Sequence, residues 1–169
     1  MKLKDIIELI SQAEELLDFQ FKPKEYQVIA QYLTQVGEKP INKAHGLILL
    51  HLYRIQITSE LHQDLKTILP IYVKLTHSLV DVISSFGHLK PLIFCMQFCQ
   101  MLVQGMWIND SPLLQFLDKA TVKILSEQHD IKEINDFVEM DDDLRTKVLK
   151  GKDIDKIAEA CNRYPALSL

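Results

Sequence analysis

The sequence is poor in the residues that tight turns, disulfide frameworks and metal sites need. It has five glycines, six prolines and three cysteines in 169 residues. So few glycines and prolines argue against an all-β protein built from many short strands and turns. Cys95, Cys99 and Cys161 are odd in number and lack metal-ligand spacing, so we expect buried, reduced thiols. Reduced thiols are typical of the cytosol or the nucleus.

Long uncharged apolar runs are also scarce. The only run near membrane-spanning length, 91–108, contains Gln97, Gln100 and Gln104, and we interpret it as a buried helix. Residues 1–10 alternate charged and apolar side chains and lack the apolar core of a signal peptide. We therefore expect no contact with a membrane.

Positive charge is not in excess. The net charge is −4, and residues 1–90 are balanced, with ten Lys and Arg against ten Asp and Glu. Residues 91–169 carry nine basic against thirteen acidic side chains. A free-standing protein that binds duplex DNA is expected to be basic, so this balance argues against that function.

Motifs for phosphate binding, nucleophilic catalysis and zinc binding are absent from the sequence. It contains no GxxxxGK[ST], no GxGxxG and no HExxH. The run Asp141–Asp143 resembles an acidic metal site, but consecutive helical residues diverge by about 100°, so we interpret it as a solvated helix start. We predict a chain that is not an enzyme, with no catalytic residue, cofactor, metal or small-molecule substrate.

The dominant pattern is helical and is longest in residues 59–86. Apolar residues there recur at alternating steps of four and three, which is typical of one face of an α-helix. The predicted buried stripe is Leu61, Leu65, Ile68, Tyr72, Leu75, Leu79, Val82 and Phe86. A second apolar line beside it is Leu69, Val73, Thr76, Val80 and Ile83. We predict a central helix of about 40 Å, packed on two sides. Pro70 predicts a bend, with a break at Leu69 as the alternative.

Shorter helical patterns fill the rest of the chain. The predicted helices are 3–17, 24–36, 42–56, 91–107, 119–128, 131–138, 141–149 and 153–163. The apolar run 47–50 would also suit a buried strand, but the length of the pattern favours a helix. In the helix 91–107 we predict the core positions Cys95, Cys99, Leu102, Val103 and Met106.

The predicted fold class is therefore all-α. Residues 1–118 form a helical bundle around the long helix, and residues 119–165 form a small helix-loop-helix subdomain. We interpret residues 166–169 as the start of a strand domain that lies outside this sequence.

One face of the long helix remains polar, and we look for function there. This polar strip consists of Lys66, Thr67, Pro70, Lys74, His77 and Asp81. Its candidate residues for contact with nucleic acid or a partner protein are Lys66, Thr67, Lys74, His77 and Asp81.

Five short stretches, taken in order and spacing, resemble a known family. The first contains Leu49, Leu50, Arg54 and Ile57, and the others are 81–89, 100–107, 110–113 and 139–142 with 161–165. Together they resemble the SEC sixty-three domain that follows the helicase cassettes of spliceosomal, Brr-two-type RNA helicases. The resemblance extends over nearly the whole chain, from Leu3 to Leu169.

The resemblance implies a helical bundle, a helix-loop-helix part and an immunoglobulin-like sandwich, of which this sequence matches the first two. It also implies that the long helix, called a ratchet helix in these helicases, lies under the nucleic-acid tunnel. In related DNA helicases an arginine and a tryptophan occupy the positions that match Thr67 and Lys74. The resemblance therefore does not imply base stacking at those two points.

The expected function is that of a non-catalytic accessory and protein-interaction module of a nuclear pre-mRNA splicing helicase. The expected partners are the helicase cassette, other splicing proteins and, weakly, single-stranded RNA. One alternative is the homologous domain of the endoplasmic-reticulum protein-translocation machinery. Another is a helical scaffold without a nucleic-acid role, with the cytoplasm as an alternative location.

Overall fold

The computed structural model describes residues 3–164, and every regular element among them is helical, as predicted. The α-helices are α1 (Leu3–Ser11), α2 (Glu14–Leu17), α3 (Glu25–Thr34), α4 (Lys43–Leu52), α5 (Ser59–Ser85), α6 (Leu89–Gln104), α7 (Lys119–His129), α8 (Ile134–Val138), α9 (Asp142–Val148) and α10 (Ile154–Arg163). None of these helices is long and apolar enough to cross a lipid bilayer. The strand start predicted at 166–169 lies outside the described residues.

Contacts divide the chain into two units, 1–108 and 109–169. The predicted subdomain boundary near 118 lies inside the second unit. The reason is a 3₁₀-helix, Pro112–Gln115, which packs against α7 and so belongs with the short helices that follow it.

The long helix α5 is the central element of the first unit. It runs without interruption for 27 residues, so the predicted helix is confirmed and the alternative break at Leu69 is wrong. Thr58 is its N-cap, and the Thr58 hydroxyl accepts a hydrogen bond from the backbone N–H of Leu61. Its end is marked by Gly87 at φ +72°, a left-handed conformation that costs glycine little. The bend at Pro70 stays a prediction.

The predicted stripe of α5 is fully buried only in part, and Leu75 and Leu79 are partly buried against the core. Leu61, Leu65, Ile68 and Tyr72 are buried, as is Thr76 of the second line. Tyr72 also donates a hydrogen bond to the Ile7 carbonyl of α1. Val82 and Phe86, however, are 53% and 69% exposed, so their predicted burial is wrong. They lie where the chain reverses into α6, and no described element of the unit covers that end.

Two of the predicted helices in the first unit are interrupted or end early for identifiable reasons. The predicted helix 3–17 is divided into α1 and α2 because Ala13 is extended, with ψ 145°. The carbonyl of Ser11 accepts a hydrogen bond from the side chain of Asn42 instead of continuing the helix. The predicted helix 42–56 is confirmed as a helix rather than a strand, but it stops at Leu52 because Arg54 turns into the left-handed region at φ +54°.

Arg54 and His51 join the end of α4 to the end of α6. The Arg54 Nε donates to the Gly105 carbonyl at 2.8 Å and Nη2 to the Gln104 carbonyl at 3.3 Å. Because the last carbonyls of a helix carry partial negative charge, a guanidinium there is favourable. His51 Nε2 lies 2.9 Å from the Leu102 carbonyl, and its ring packs against Gly105. Burial is the main cause that lowers the pKa of His51, so the imidazole is neutral and donates through Nε2–H.

A buried ion group joins α3, α4 and α5. The Lys43 side chain is only 3% exposed, and its Nζ lies 2.7 Å from both Glu25 Oε2 and Asp64 Oδ2. Burial lowers the pKa of Lys43, but the bonds to Asp64 and Glu25 outweigh it and hold the pKa above its usual value. The lysine therefore stays charged and, from the first turn of α4, bridges a carboxylate of α3 and one of α5.

The second unit consists of short helices with polar N-caps. Asp118, Asp141 and Asp153 each accept a hydrogen bond from a backbone N–H in the first turn of α7, α9 and α10. Asp118 also pairs with Lys152, and this bond is the main cause that holds the pKa of Asp118 far below its usual range. Such caps support helices that are too short to be stable alone.

Candidate nucleic-acid interface

The polar strip of α5 is solvent-exposed along its length. Lys66, Thr67, Lys74, His77 and Asp81 are all exposed, and so is Pro70 between them. Steps of three and four residues place these side chains on one face of the helix, opposite the buried positions of α5. From Lys66 to Asp81 the strip extends over about 22 Å at 1.5 Å per residue.

The two lysines supply the positive charge of the strip. Among the described residues neither Lys66 nor Lys74 forms an ion pair, so both ammonium groups face solvent. They lie eight residues apart, about 12 Å along the helix axis. Thr67 donates its hydroxyl to the Gln63 carbonyl, 3.3 Å away on its own helix. Asp81 is the one acidic member of the strip.

Part of the strip borders a groove between α5 and α6. Lys74, His77 and Asp81 line its polar side, while Lys66 and Thr67 lie on the strip beyond it. The α5–α6 groove is lined by Leu69, Pro70, Val73, Lys74, His77, Ser78, Asp81, Leu102 and Val103, and it continues past His77 to Val80, Met96, Cys99, Gln100 and Gln104. Three candidate residues are therefore brought together on one concave surface.

The α6 side of this groove was not predicted. Val103 is 71% exposed, so its predicted core position is wrong, and Cys99 is only half-buried. Cys95, Leu102 and Met106 are buried as predicted. Because α6 is apolar on nearly every side, periodicity cannot distinguish its buried face from the exposed one.

In residues 3–164 no cluster of three or more His, Cys, Asp or Glu side chains is arranged to hold a metal ion. Trp107 packs edge-on against Tyr53, with 5.0 Å between the ring centroids. The exposed lysines and the largely apolar wall of the groove suit contact with an extended anionic or apolar partner.

Comparison with known proteins gives one family over the whole chain. The model of the Sec63 Brl domain matches residues 1–169. The U5 small nuclear ribonucleoprotein 200 kDa helicase of Homo sapiens is 33% identical over 180 residues, covering 99% of this chain and 8% of that protein. The protein of the same name from Drosophila melanogaster is 32% identical over 185 residues, covering 99% of this chain and 9% of that protein. The DExH-box ATP-dependent RNA helicase DExH12 of Arabidopsis thaliana is 32% identical over 182 residues, covering 99% of this chain and 8% of that protein. The chain thus spans less than a tenth of these relatives.

Proposed function

Because this chain belongs to the Sec63 Brl domain family, we propose that it is a non-catalytic accessory module of a pre-mRNA splicing RNA helicase. The observation that carries the proposal is the family match over residues 1–169, together with relatives that are named as helicases and align with 99% of the chain. In this role the module scaffolds the helicase cassette and binds other splicing proteins in the nucleus.

An ATPase assay tests the non-catalytic part of this proposal. The sequence has no nucleotide-binding motif, so we expect only background ATP hydrolysis by the purified chain, with or without RNA. ATP turnover that stays proportional to the chain concentration through successive purification steps would contradict the proposal.

We further propose that the polar strip makes a weak contact with single-stranded RNA. Two features support this contact: the exposed lysines without ion pairs, and the length of the strip, about 22 Å. Phe, Tyr and Trp are absent from the strip, so the contact is made to phosphates rather than by base stacking. Such a contact does not depend on the base sequence.

The salt dependence of RNA binding tests this contact quantitatively. Two lysines that neutralise two phosphates give a slope of log K against log salt of about −1.4 for a single strand. Affinity for a fluorescent oligouridine, measured by anisotropy, should therefore fall about fivefold between 50 and 150 mM salt. Binding that does not change with salt would contradict a phosphate contact. No binding at micromolar protein would leave only the role with partner proteins.

A helical scaffold without a nucleic-acid role is the second candidate. The observation that favours it is the exposed apolar end of α5 and start of α6, where Val82, Phe86 and Leu89 are 53%, 69% and 67% exposed. Exposed apolar patches mark protein interaction sites. The alternative in the endoplasmic reticulum receives no such support, since the reported relatives are named as RNA helicases.

A further inference from the structure

A thiol and an imidazole face each other across the α5–α6 groove. Cys99 Sγ lies 3.0 Å from His77 Nε2, which is hydrogen-bond distance for sulfur. Both side chains line the groove, with Cys99 half-buried and His77 exposed. The charged neighbours of His77 are Lys74 and Asp81 on α5, whereas α6 contributes the uncharged Gln100 and Gln104. A small molecule in the groove therefore reaches the sulfur from solvent.

The other two thiols lack this arrangement. Cys95 is fully buried, and Cys161 is half-buried beside Arg145 in the second unit. Within the described part of the chain, only Cys99 has a histidine within hydrogen-bond distance. Burial raises the pKa of both Cys99 and Cys161 above the ordinary thiol value, so each thiol is protonated at neutral pH. A thiol of this kind reacts faster when a base takes its proton.

We propose that Cys99 is a covalent modification site for small disulfides, with His77 as the base that accepts the thiol proton. The Cys99 sulfur attacks one sulfur of the disulfide, so a new S–S bond forms as the original S–S bond breaks. The leaving thiolate takes the proton from the His77 imidazolium. The disulfide is itself the oxidant, and no further reactant is needed.

Modification changes the surface that the polar strip presents. A glutathione adduct on Cys99 occupies the groove beside Lys74 and Val103 and adds negative charge there. If RNA lies along the strip, the adduct weakens RNA binding, and this consequence rests on the proposed function. The modification itself does not depend on RNA, so the proposed modification of Cys99 and the proposed RNA contact can be refuted independently of each other.

Site-resolved labelling of the full chain tests the proposal. We would incubate the chain with oxidised glutathione at pH 7, quench with acid, and follow each cysteine by mass spectrometry. Cys99 should react at least several-fold faster than Cys161, while Cys95 should stay unmodified as an internal check of folding. In His77→Asn the rate at Cys99 should fall towards that of Cys161, whose own rate should not change. Equal rates at Cys99 and Cys161, or an unchanged Cys99 rate in His77→Asn, would overturn the proposal.

The pH dependence of the wild-type chain gives a second test that needs no variant. The ratio of the Cys99 rate to the Cys161 rate should be largest near pH 7 and should decrease as the pH rises into the alkaline range, because a growing fraction of both thiols then ionises without help from the imidazole. A rate ratio that does not change with pH would mean that solvent access alone determines the difference between the two thiols, and it would also overturn the role of His77. RNA binding by the modified and unmodified chain is then measured separately.

Discussion

Replacing Gly105 with alanine tests the contact between the ends of α4 and α6. Gly105 has φ +62°, and a Cβ atom built there would lie 2.9 Å from Cε1 of the His51 ring. Alanine in the left-handed region costs about 1–2 kcal/mol. The ring must also move away from the Leu102 carbonyl that it now bonds at 2.9 Å, which costs about 1 kcal/mol more. We expect Gly105→Ala to lower the free energy of unfolding by about 2–3 kcal/mol.

Gly87→Ala is the matched control. Gly87 also follows a long helix of the first unit with φ +72°, but a Cβ there would meet no atom within 4 Å. Its cost should therefore be the backbone cost alone, about 1–2 kcal/mol. The difference between the two variants, about 1 kcal/mol, isolates the contact with His51.

Urea unfolding followed by tryptophan fluorescence is the appropriate assay. Trp107 is the only tryptophan, and it packs on Tyr53 in the first unit, so its emission reports the unit that contains both glycines. In the double variant His51→Ala and Gly105→Ala the extra cost should disappear, which a double-mutant cycle would detect. If Gly105→Ala and Gly87→Ala were equally destabilising, the His51 ring would not constrain this position and the reasoning would be refuted.

Three further predictions concern stability. Lys43→Met should destabilise the chain by about 3 kcal/mol, because it leaves the half-buried carboxylates of Glu25 and Asp64 without the Lys43 ammonium group. Adding Glu25→Gln and Asp64→Asn should restore part of this loss in the same urea assay. Val103→Glu should change the free energy of unfolding by less than about 0.5 kcal/mol, because the Val103 side chain is 71% exposed. Leu102→Ala should lower it by about 2–5 kcal/mol, because the Leu102 side chain is fully buried. A large loss for Val103→Glu would place that residue in the core. Burial lowers the pKa of His45 and His51, so the unfolded chain binds more protons than the folded chain. The free energy of unfolding should therefore fall as the pH drops from 7.5 to 5.5. His51→Asn should reduce this fall, and an unchanged fall would contradict a lowered pKa for His51.

The helices could be predicted because their periodicity depends only on the local chain. The stripe from Leu61 to Tyr72 is buried as its 3.6-residue repeat requires, and Gly87 ends the helix for a local steric reason. The polar strip is exposed for the same reason, because the side of a helix opposite its buried stripe faces solvent. Whether the strip binds RNA depends on contact with a partner, and the apolar repeat does not determine it.

The features that the sequence did not predict depend on contacts between residues far apart in the chain, and the periodicity carries no information about these contacts. Val82 and Phe86 keep the apolar repeat, yet no described neighbour covers them. Arg54 ends α4 in a conformation that favours glycine, and its bonds to the end of α6 hold it there. The pairing of His77 with Cys99 joins residues on two helices, and no pattern along either helix indicates it.

The measurement that tests the account most directly is RNA binding after charge reversal on the polar strip. The double variant Lys66→Glu and Lys74→Glu is compared with the double variant Lys24→Glu and Lys39→Glu. The second pair consists of exposed lysines outside α5, and its change in charge is the same. The strip variant should lose measurable binding to oligouridine together with the salt slope of about −1.4, and the control should keep both. Equal loss in the two variants would show that net charge, and not the polar strip, determines the contact, and would contradict the account.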